Sequence, residues 1–274
     1  MTARILITGA GGGVGTLMRT RLAAPGRVLR LLDIAELPAA ADGENVELVE
    51  GSVTDMATME AAMADVDAVI HLGGHSLEES WDKILRVNID GTHTVLEAAR
   101  RSGVRRVVLA SSNHAVGFLE QADGEAGDYA FPRPDTYYGV SKVALEALGS
   151  LYADRYGMDV IAIRIGSCFE KPRDVRMLST WMSPDDGARL FEACLSAPSP
   201  GFRVVWGVSD NKRGWFSLDE ARALGYEPKD DSEVHAAAVL EQHGEPDPSS
   251  YAVKYVGGVW CGPDFDTAVK EAGR

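Results

Sequence analysis

Short apolar runs alternate along the chain with segments of helical length. The runs cover residues 5–8, 28–32, 46–49, 68–72, 107–110, 160–165 and 204–206. Strands that are apolar almost throughout are typical of parallel sheets covered by helices on both faces. The pattern therefore predicts an α/β fold built on a doubly wound parallel sheet.

The segments that directly follow the predicted strands are the first places to look for functional residues. Ligands of such sheets bind beyond the carboxyl ends of the strands, near the point where the strand order reverses. The segments are residues 9–15, 33, 51–53, 73–76, 111–114 and 166–168.

Glycines follow the first predicted strand in a G-x-x-G-x-x-G pattern, at Gly9, Gly12 and Gly15. Glycine suits this turn because the backbone must bend sharply, approach a pyrophosphate closely and let the next helix pack against the strand. The N-terminus of that helix then faces the anion. Because the cluster lies between a strand and a helix, it predicts a dinucleotide site in which Gly13 and Val14 also take part.

The second predicted strand leads into a carboxylate, Asp33, which lies 18 residues after Gly15. This is close to the spacing at which an acidic residue accepts hydrogen bonds from the adenosine ribose. A carboxylate at that place also repels a 2′-phosphate. We therefore expect NAD rather than NADP as the cofactor, with Ile34 as a neighbouring contact.

A tyrosine and a lysine, Tyr138 and Lys142, are spaced i, i+4 in the predicted helix 138–156, so they share one face of that helix. This is the only Tyr-x-x-x-Lys in the chain. A nearby ammonium and a positive nicotinamide both favour the phenolate, which makes Tyr138 a candidate general base. The preceding predicted strand leads into Ser111 and Ser112.

Composition and charge narrow the class of partner. The net charge is −14 and is spread over the chain without a basic stripe, so we expect no nucleic-acid partner. No apolar run is long enough to span a bilayer, and the first residues lack the pattern of a signal peptide. Cys168, Cys194 and Cys261 lack the spacing of metal or redox motifs. We therefore expect a cytoplasmic protein with reduced thiols and no membrane partner.

The chain length predicts a single domain over residues 1–274. Residues 1–165 are expected mainly to bind the dinucleotide. Residues 166–274 have a less regular pattern and are expected mainly to form a small substrate lobe and a C-terminal segment.

The motifs over residues 4 to about 165 resemble those of the extended short-chain dehydrogenase/reductase family. They are Thr8-Gly9-x-x-Gly12-x-x-Gly15, Asp33, His71-Leu72-Gly73-Gly74, Asn88, Ser111-Ser112 and Tyr138-x-x-x-Lys142. The resemblance implies a Rossmann-type fold, a substrate oxygen held by Ser112, and a nicotinamide ribose bound by Lys142. It also implies cofactor contacts from Ser52, Val53, Leu72, Gly73 and Ile165. One departure lies after the third strand, where Ser52 stands in place of the usual aspartate and is expected to replace its contact with adenine.

More specific strings resemble the uronate dehydrogenases. They are Gly73-Gly74-x-Ser76, Ser111-Ser112-Asn113-His114, residues 164–168, residues 176–181 and residues 204–207. This resemblance implies NAD-dependent oxidation of the C1 hydroxyl of pyranose galacturonate or glucuronate to an aldarolactone. It also implies a sugar-acid site lined by Ser76, Ser112, Asn113, His114, Tyr138, Ser167 and Arg176. We further expect a homo-oligomer.

The residue types agree with a sugar acid, because its hydroxyls require short polar side chains and its carboxylate suits the guanidinium fork of Arg176. His71 and His75 could be taken for a metal pair, but no third ligand lies near them in sequence, and we expect no metal. Three alternatives remain open: a nucleotide-sugar epimerase or dehydratase of the same family, a non-catalytic NAD-sensing regulator, and a reductase of another small carbonyl compound.

Overall fold

The structure, a computed structural model, describes residues 3–265. The strands in this range are β1 (Ala3–Thr8), β2 (Arg27–Asp33), β3 (Val46–Glu50), β4 (Ala68–His71), β5 (Arg106–Ser112), β6 (Asp159–Ile165), β7 (Ser167–Cys168), β8 (Trp181–Met182) and β9 (Phe202–Gly207). The helices are α1 (Gly13–Arg21), α2 (Met56–Ala62), α3 (Trp81–Lys83), α4 (Gly91–Arg101), α5 (Tyr137–Tyr156), α6 (Met177–Thr180), α7 (Pro184–Ser196), α8 (Asp219–Ala223), α9 (Ala236–His243) and α10 (Tyr251–Lys254). Short 3₁₀ turns cover Asn113–Val116, Gln121–Asp123, Ser232–His235 and Gly258–Cys261, and a π-helical stretch covers Ile84–Asp90.

Seven of these strands form one parallel sheet in the order β3-β2-β1-β4-β5-β6-β9. Thr8 at the end of β1 is paired with Leu32 of β2 on one side and with His71 of β4 on the other. The strand order therefore reverses between β1 and β4, where a doubly wound sheet binds its ligand. The predicted parallel sheet is confirmed.

The sheet separates two apolar layers. In β1, Ile5 and Ile7 pack on one side with Met18 of α1 and Phe191 of α7. Leu6 packs on the other side in a cluster that includes residues of α4 and α5. Both faces of the strand are thus removed from water, which explains why the strands are apolar in sequence without an alternation of polar positions.

The helix that carries the predicted catalytic pair, α5, begins one residue before the predicted start. Its N-cap is Thr136, whose hydroxyl accepts a hydrogen bond from the Gly139 amide at 3.0 Å. A threonine hydroxyl at this position satisfies an amide that has no partner within the helix. The cap therefore places Tyr138 in the first turn, close to the carboxyl ends of the strands.

The last part of the described chain returns to the carboxyl edge of the sheet. We call residues 251–261 the C-terminal segment. Its Val256 and Gly257 amides donate to the carbonyl oxygens of Leu119 and Gly117, at 3.0 and 2.8 Å. The segment is therefore attached next to the turn that follows β5. Across residues 3–265, none of the helices has the length and apolarity needed to pass through a bilayer.

Candidate active site

A cavity of about 890 Å³ lies at the carboxyl ends of β1, β4, β5 and β6. Its size is that of a site for a cofactor and a small substrate. Every residue predicted from the sequence to bind cofactor or substrate lines it: Gly9, Gly12, Gly13, Val14, Gly15, Asp33, Ile34, Ser52, Val53, Leu72, Gly73, Ser76, Ser112, Asn113, His114, Tyr138, Lys142, Ile165, Ser167 and Arg176. The fold thus brings together residues that are up to 167 positions apart in the chain.

The glycine turn fits a bound pyrophosphate. Gly9 has a φ of +69°, and a Cβ atom there would lie 2.6 Å from the Gly73 amide nitrogen. A Cβ atom on Gly15 would lie 2.5 Å from the Gly9 carbonyl oxygen. Helix α1 begins directly after Gly12, and no side chain caps its first turn. Its free amides therefore face the cavity and can bind an anion.

Asp33 is held at the adjoining wall of the cavity. Its Oδ2 accepts a hydrogen bond from the Gly11 amide at 2.8 Å, and its Oδ1 accepts one from the Ala35 amide at 2.9 Å. Each carboxylate oxygen retains a lone pair for a ribose hydroxyl. The Asp33 carboxylate and the glycine turn both fit NAD.

The turn after β3 differs from the family pattern. The Ser52 and Thr54 hydroxyls lie 2.9 Å apart, and the Thr54 amide donates to the Ser52 hydroxyl at 3.2 Å. Ser52 is thus engaged in a local turn, and its contact with adenine stays a prediction. Val53 is buried and packs close to Gly73, where a Cβ atom would lie 2.8 Å from Val53 Cγ1.

Tyr138 and Lys142 are both buried beside the end of β5. Lys142 Nζ donates to the Ala110 carbonyl oxygen at 2.7 Å and lies 5.2 Å from the centroid of the Tyr138 ring. Burial raises the pKa of Tyr138 to about 12, although a hydrogen bond with Ser112 acts in the opposite direction. Burial also lowers the pKa of Lys142 to about 8, against the attraction of Glu146. Added positive charge in the cavity would stabilise the phenolate and bring Tyr138 closer to the range of a general base.

The two adjacent serines have different roles. The Ser111 hydroxyl donates to Glu146 Oε1 at 2.6 Å, and Glu146 also accepts two hydrogen bonds from the Arg164 guanidinium at 2.9 and 2.8 Å. The hydroxyl of Ser112 instead accepts the His114 amide at 3.2 Å and bonds with Tyr138. Ser112 is therefore the serine placed to contact a substrate oxygen.

Asn88 holds the loop after β4 against α5. Its Oδ1 accepts the His75 amide at 2.8 Å, and its Nδ2 donates to the His75 carbonyl at 3.0 Å and to the Ser141 hydroxyl at 3.2 Å. Glu78 in the same loop accepts the Tyr137 and Tyr138 amides at 3.1 and 2.7 Å. These contacts position both Ser76 and the start of α5.

The predicted sugar-binding side chains converge on the C-terminal segment. The Val256 carbonyl oxygen accepts hydrogen bonds from Asn113 Nδ2 at 3.0 Å and from Arg176 Nε at 3.1 Å, and a further one from Arg176 Nη2. Burial lowers the pKa of Arg176, against the attraction of Asp174 and Asp135. Within residues 3–265, Arg176 Nη1 has no hydrogen-bond partner, so it remains available to a carboxylate.

The other sugar-binding candidates are also held by neighbours. The Ser167 hydroxyl lies 2.9 Å from Thr180 Oγ1. His114 Nδ1 lies 2.6 Å from Asp135 Oδ2, and the His114 ring stacks on Trp260 with centroids 4.0 Å apart. Sequence reasoning missed Val256, Asp135 and Trp260. A backbone carbonyl carries no side-chain signal, and Trp260 lies 146 residues from the histidine that it contacts.

His71 is held inside the fold by hydrogen bonds with two threonines. It is buried between the Thr8 and Thr92 hydroxyls, at 2.8 Å from Nδ1 and 3.2 Å from Nε2. Burial, with a smaller contribution from Lys142, lowers the pKa of His71 to about 3 and keeps the ring neutral. In the described part of the chain, no three His, Cys, Asp or Glu side chains are arranged to hold a metal ion.

Comparison with known proteins gives one family, and the relatives include several uronate dehydrogenases. Residues 5–183 match the model of the NAD dependent epimerase/dehydratase family. The chain is 44% identical over 258 residues to a uronate dehydrogenase from Pseudomonas putida, covering 94% of this chain and 95% of that protein. It is 46% identical over 259 residues to a uronate dehydrogenase from Pseudomonas syringae pv. tomato, covering 94% and 92%. A single-site mutant of Agrobacterium tumefaciens uronate dehydrogenase, solved in complex with NAD, is 40% identical with a TM-score of 0.90 and covers 96% of this chain and 98% of that one.

Proposed function

Because the chain belongs to the NAD-dependent epimerase/dehydratase family, we propose that it oxidises the C1 hydroxyl of free hexuronates, galacturonate or glucuronate, to the aldarolactone with NAD. One observation carries this proposal: the base candidate Tyr138 and the half-buried cation Arg176 line the same cavity as the glycine turn. A cavity with a dinucleotide turn, a proton acceptor and a carboxylate-binding cation is suited to oxidise an acidic sugar. The expectations of an extended short-chain dehydrogenase fold and of NAD are confirmed by the family match and the relatives, and the relatives named uronate dehydrogenase support a uronate substrate.

In this proposal, Tyr138 accepts the proton of the C1 hydroxyl while Ser112 holds the same oxygen by a hydrogen bond. The position of Ser112 is set by its bond to the His114 amide. Lys142, beside the Tyr138 ring, stabilises the phenolate by its charge. NAD, when bound, supplies the acceptor for the hydride from C1. Because the sugar ring stays closed, oxidation at C1 yields a lactone.

Arg176 recognises the carboxylate at the other end of the sugar. Its Nη1 and the second hydrogen of Nη2 can bind the two carboxylate oxygens, since Val256 takes Nε and one hydrogen of Nη2. Asn113 and Ser167 are buried beside it and supply short polar groups for the hydroxyls. The carboxylate therefore serves recognition, while the chemistry takes place at C1.

The alternatives fit the molecule less well. The chain spans 92–95% of the length of the uronate dehydrogenases it resembles, which favours a shared substrate region over that of a nucleotide-sugar enzyme. An NAD-sensing regulator has no need of Tyr138 and Lys142 held together beside Ser112. Among these candidates, a catalytic dehydrogenase is the one that uses the arrangement of Tyr138, Lys142 and Ser112.

A substrate panel tests the proposal. The purified protein should reduce NAD in the presence of galacturonate or glucuronate, and much less with galactose, glucose or a nucleotide sugar, as followed by NADH absorbance. NMR of the fresh mixture should show the aldarolactone before the open aldarate. Turnover of nucleotide sugars alone would assign the chain to the epimerase or dehydratase alternative, and aldarate as the first product would contradict oxidation of the closed ring.

Cofactor selectivity gives a second test. We expect kcat/KM to be at least about tenfold higher with NAD than with NADP, because a 2′-phosphate would meet the Asp33 carboxylate. Asp33→Asn should narrow this ratio, whereas Asp42→Asn, which removes an exposed charge in the nearby loop, should leave it unchanged. Equal efficiency with both cofactors in the unmodified protein would contradict the role given to Asp33.

We also infer the setting in which the protein works. The substrate is a free sugar acid, in agreement with the Arg176 guanidinium that lines the cavity. The three cysteines are buried thiols, which supports a reducing cytoplasmic environment. Homo-oligomerisation remains part of the proposal, and the exposed Tyr129 and Phe131 give it a surface.

A further inference from the structure

We infer that Asp135 is a positioning residue that fixes the His114 imidazole in the tautomer protonated at Nδ1, so that Nε2 offers the substrate a hydrogen-bond acceptor. The inference rests on the proposed function only where Nε2 meets a sugar hydroxyl. The tautomer itself is a property of the protein without substrate.

The contact between the two side chains sets the tautomer. His114 Nδ1 lies 2.6 Å from Asp135 Oδ2, and an ionised carboxylate has no hydrogen to offer. The hydrogen in this bond therefore belongs to Nδ1. A neutral imidazole carries one such hydrogen, so Nε2 is left with a lone pair.

The second nitrogen of His114 is open to the cavity. Among residues 3–265, Nε2 has no hydrogen-bond partner, and it is not sealed from solvent. His114 lines the cavity beside Tyr138, Asn113 and Arg176. Its lone pair is therefore available to a ligand in the same space.

Three glycines leave room for the Asp135 carboxylate, because any side chain in their place would collide with it or crowd it. Cβ atoms on Gly117 and Gly257 would lie 2.0 and 1.9 Å from Asp135 Oδ2, and one on Gly139 would lie 3.0 Å from Oδ1. The Asp135 side chain is fully buried, and Thr136 Oγ1 donates to Oδ1 at 3.0 Å. Backbone from three separate segments thus encloses the carboxylate that faces His114.

The ring itself is held in place. It stacks on Trp260 at 4.0 Å with an interplanar angle of 23°, and it meets the Tyr138 ring edge-on at 5.8 Å. Burial lowers the pKa of His114, and the charge of Arg176 acts in the same direction, whereas Asp135 opposes both. Among the described residues, Asp135 and Arg176 are the charged groups that act on the ring, and its lowered pKa keeps it neutral near pH 7.

A fixed hydrogen-bond acceptor at His114 Nε2 distinguishes the hydroxyls of a sugar acid from its carboxylate. A lone pair at Nε2 attracts a hydroxyl hydrogen and repels the oxygens of a carboxylate. Arg176, which lines the same cavity, attracts the carboxylate instead. Asp135 thereby contributes to the orientation of the substrate without touching it.

The first test measures the tautomer directly. The ¹⁵N chemical shifts of the six imidazoles are recorded without substrate, and the His114 signals are assigned as those lost in His114→Ala. We expect a protonated Nδ1 and an unprotonated Nε2 in the unmodified protein near neutral pH. A proton on Nε2 would overturn the inference, whatever the enzyme's substrate proves to be.

The second test links the tautomer to substrate use. In Asp135→Asn the amide can donate to Nδ1, so the proton should move to Nε2 and the KM for galacturonate should rise at least about tenfold, with kcat and the KM for NAD changed far less. Asp135→Ala is the second variant. It removes the acceptor for the Nδ1 hydrogen completely, whereas the asparagine in Asp135→Asn could still turn its oxygen towards Nδ1. If the His114 proton has moved to Nε2 in a variant and its KM for galacturonate is unchanged, the inference is overturned.

A double substitution separates positioning from a structural role. If Asp135 acts through His114, Asp135→Asn should change the KM less than about twofold in the His114→Ala background. Equal effects in both backgrounds would show that Asp135 acts on the fold instead. If the unmodified protein does not oxidise hexuronates, the proposed function fails, while the tautomer measurement still stands.

Discussion

Replacing Tyr138 with phenylalanine is expected to lower kcat with galacturonate by about 100-fold or more, which is the usual contribution of a general base. Phenylalanine preserves the buried ring beside Lys142 but removes the oxygen that accepts the C1 proton. NAD binding, followed by quenching of protein fluorescence, should change much less than kcat.

The neighbouring tyrosine provides a matched control. Tyr137 is half exposed at the start of the same helix and packs edge-on against Trp81. Tyr137→Phe should keep near-normal turnover. The pH profile gives a further readout, because the rise of kcat/KM as the phenol loses its proton should disappear in Tyr138→Phe. Near-normal turnover of Tyr138→Phe would show that another group accepts the proton.

Replacing Arg176 with alanine is expected to lower kcat/KM for galacturonate by roughly 30-fold to several thousand-fold. The estimate corresponds to about 2 to 5 kcal/mol for the loss of one partner of a buried charge pair. Galactose has no carboxylate, so its kcat/KM should change little. The measurement is the pair of kinetic constants for both sugars with both proteins.

Arg176 also holds the C-terminal segment through the Val256 carbonyl oxygen, and the neutral sugar separates the two roles. Loss of this contact would impair both sugars alike, whereas loss of the carboxylate partner impairs the uronate alone. Arg222→Ala removes an exposed arginine that pairs with Asp210, outside the cavity, and serves as the control. An unchanged preference of Arg176→Ala for galacturonate would place the carboxylate site elsewhere.

Local sequence patterns determined much of the fold and the cofactor half of the site. The strands were predictable because a sheet covered on both faces demands nearly continuous apolar residues, as in β1, where Ile5 and Leu6 face opposite layers. The glycine turn, Asp33 and the Tyr138–Lys142 pair were recognisable because their chemistry depends on short spacings along one turn or one helix. Residues that are close together on one turn or one helix keep their relative positions however the rest of the chain folds.

Tertiary structure decided what each polar group faces. The resemblance selected Ser112 over its neighbour Ser111, but only the fold shows their partners: the Ser111 hydroxyl bonds with the buried Glu146–Arg164 pair and the Ser112 hydroxyl with Tyr138. The partners of Arg176 and His114 come from the C-terminal segment and from the turn before α5. Their contacts use a backbone carbonyl and a carboxylate between distant segments, and such pairings arise only when the chain folds, because no local periodicity encodes them.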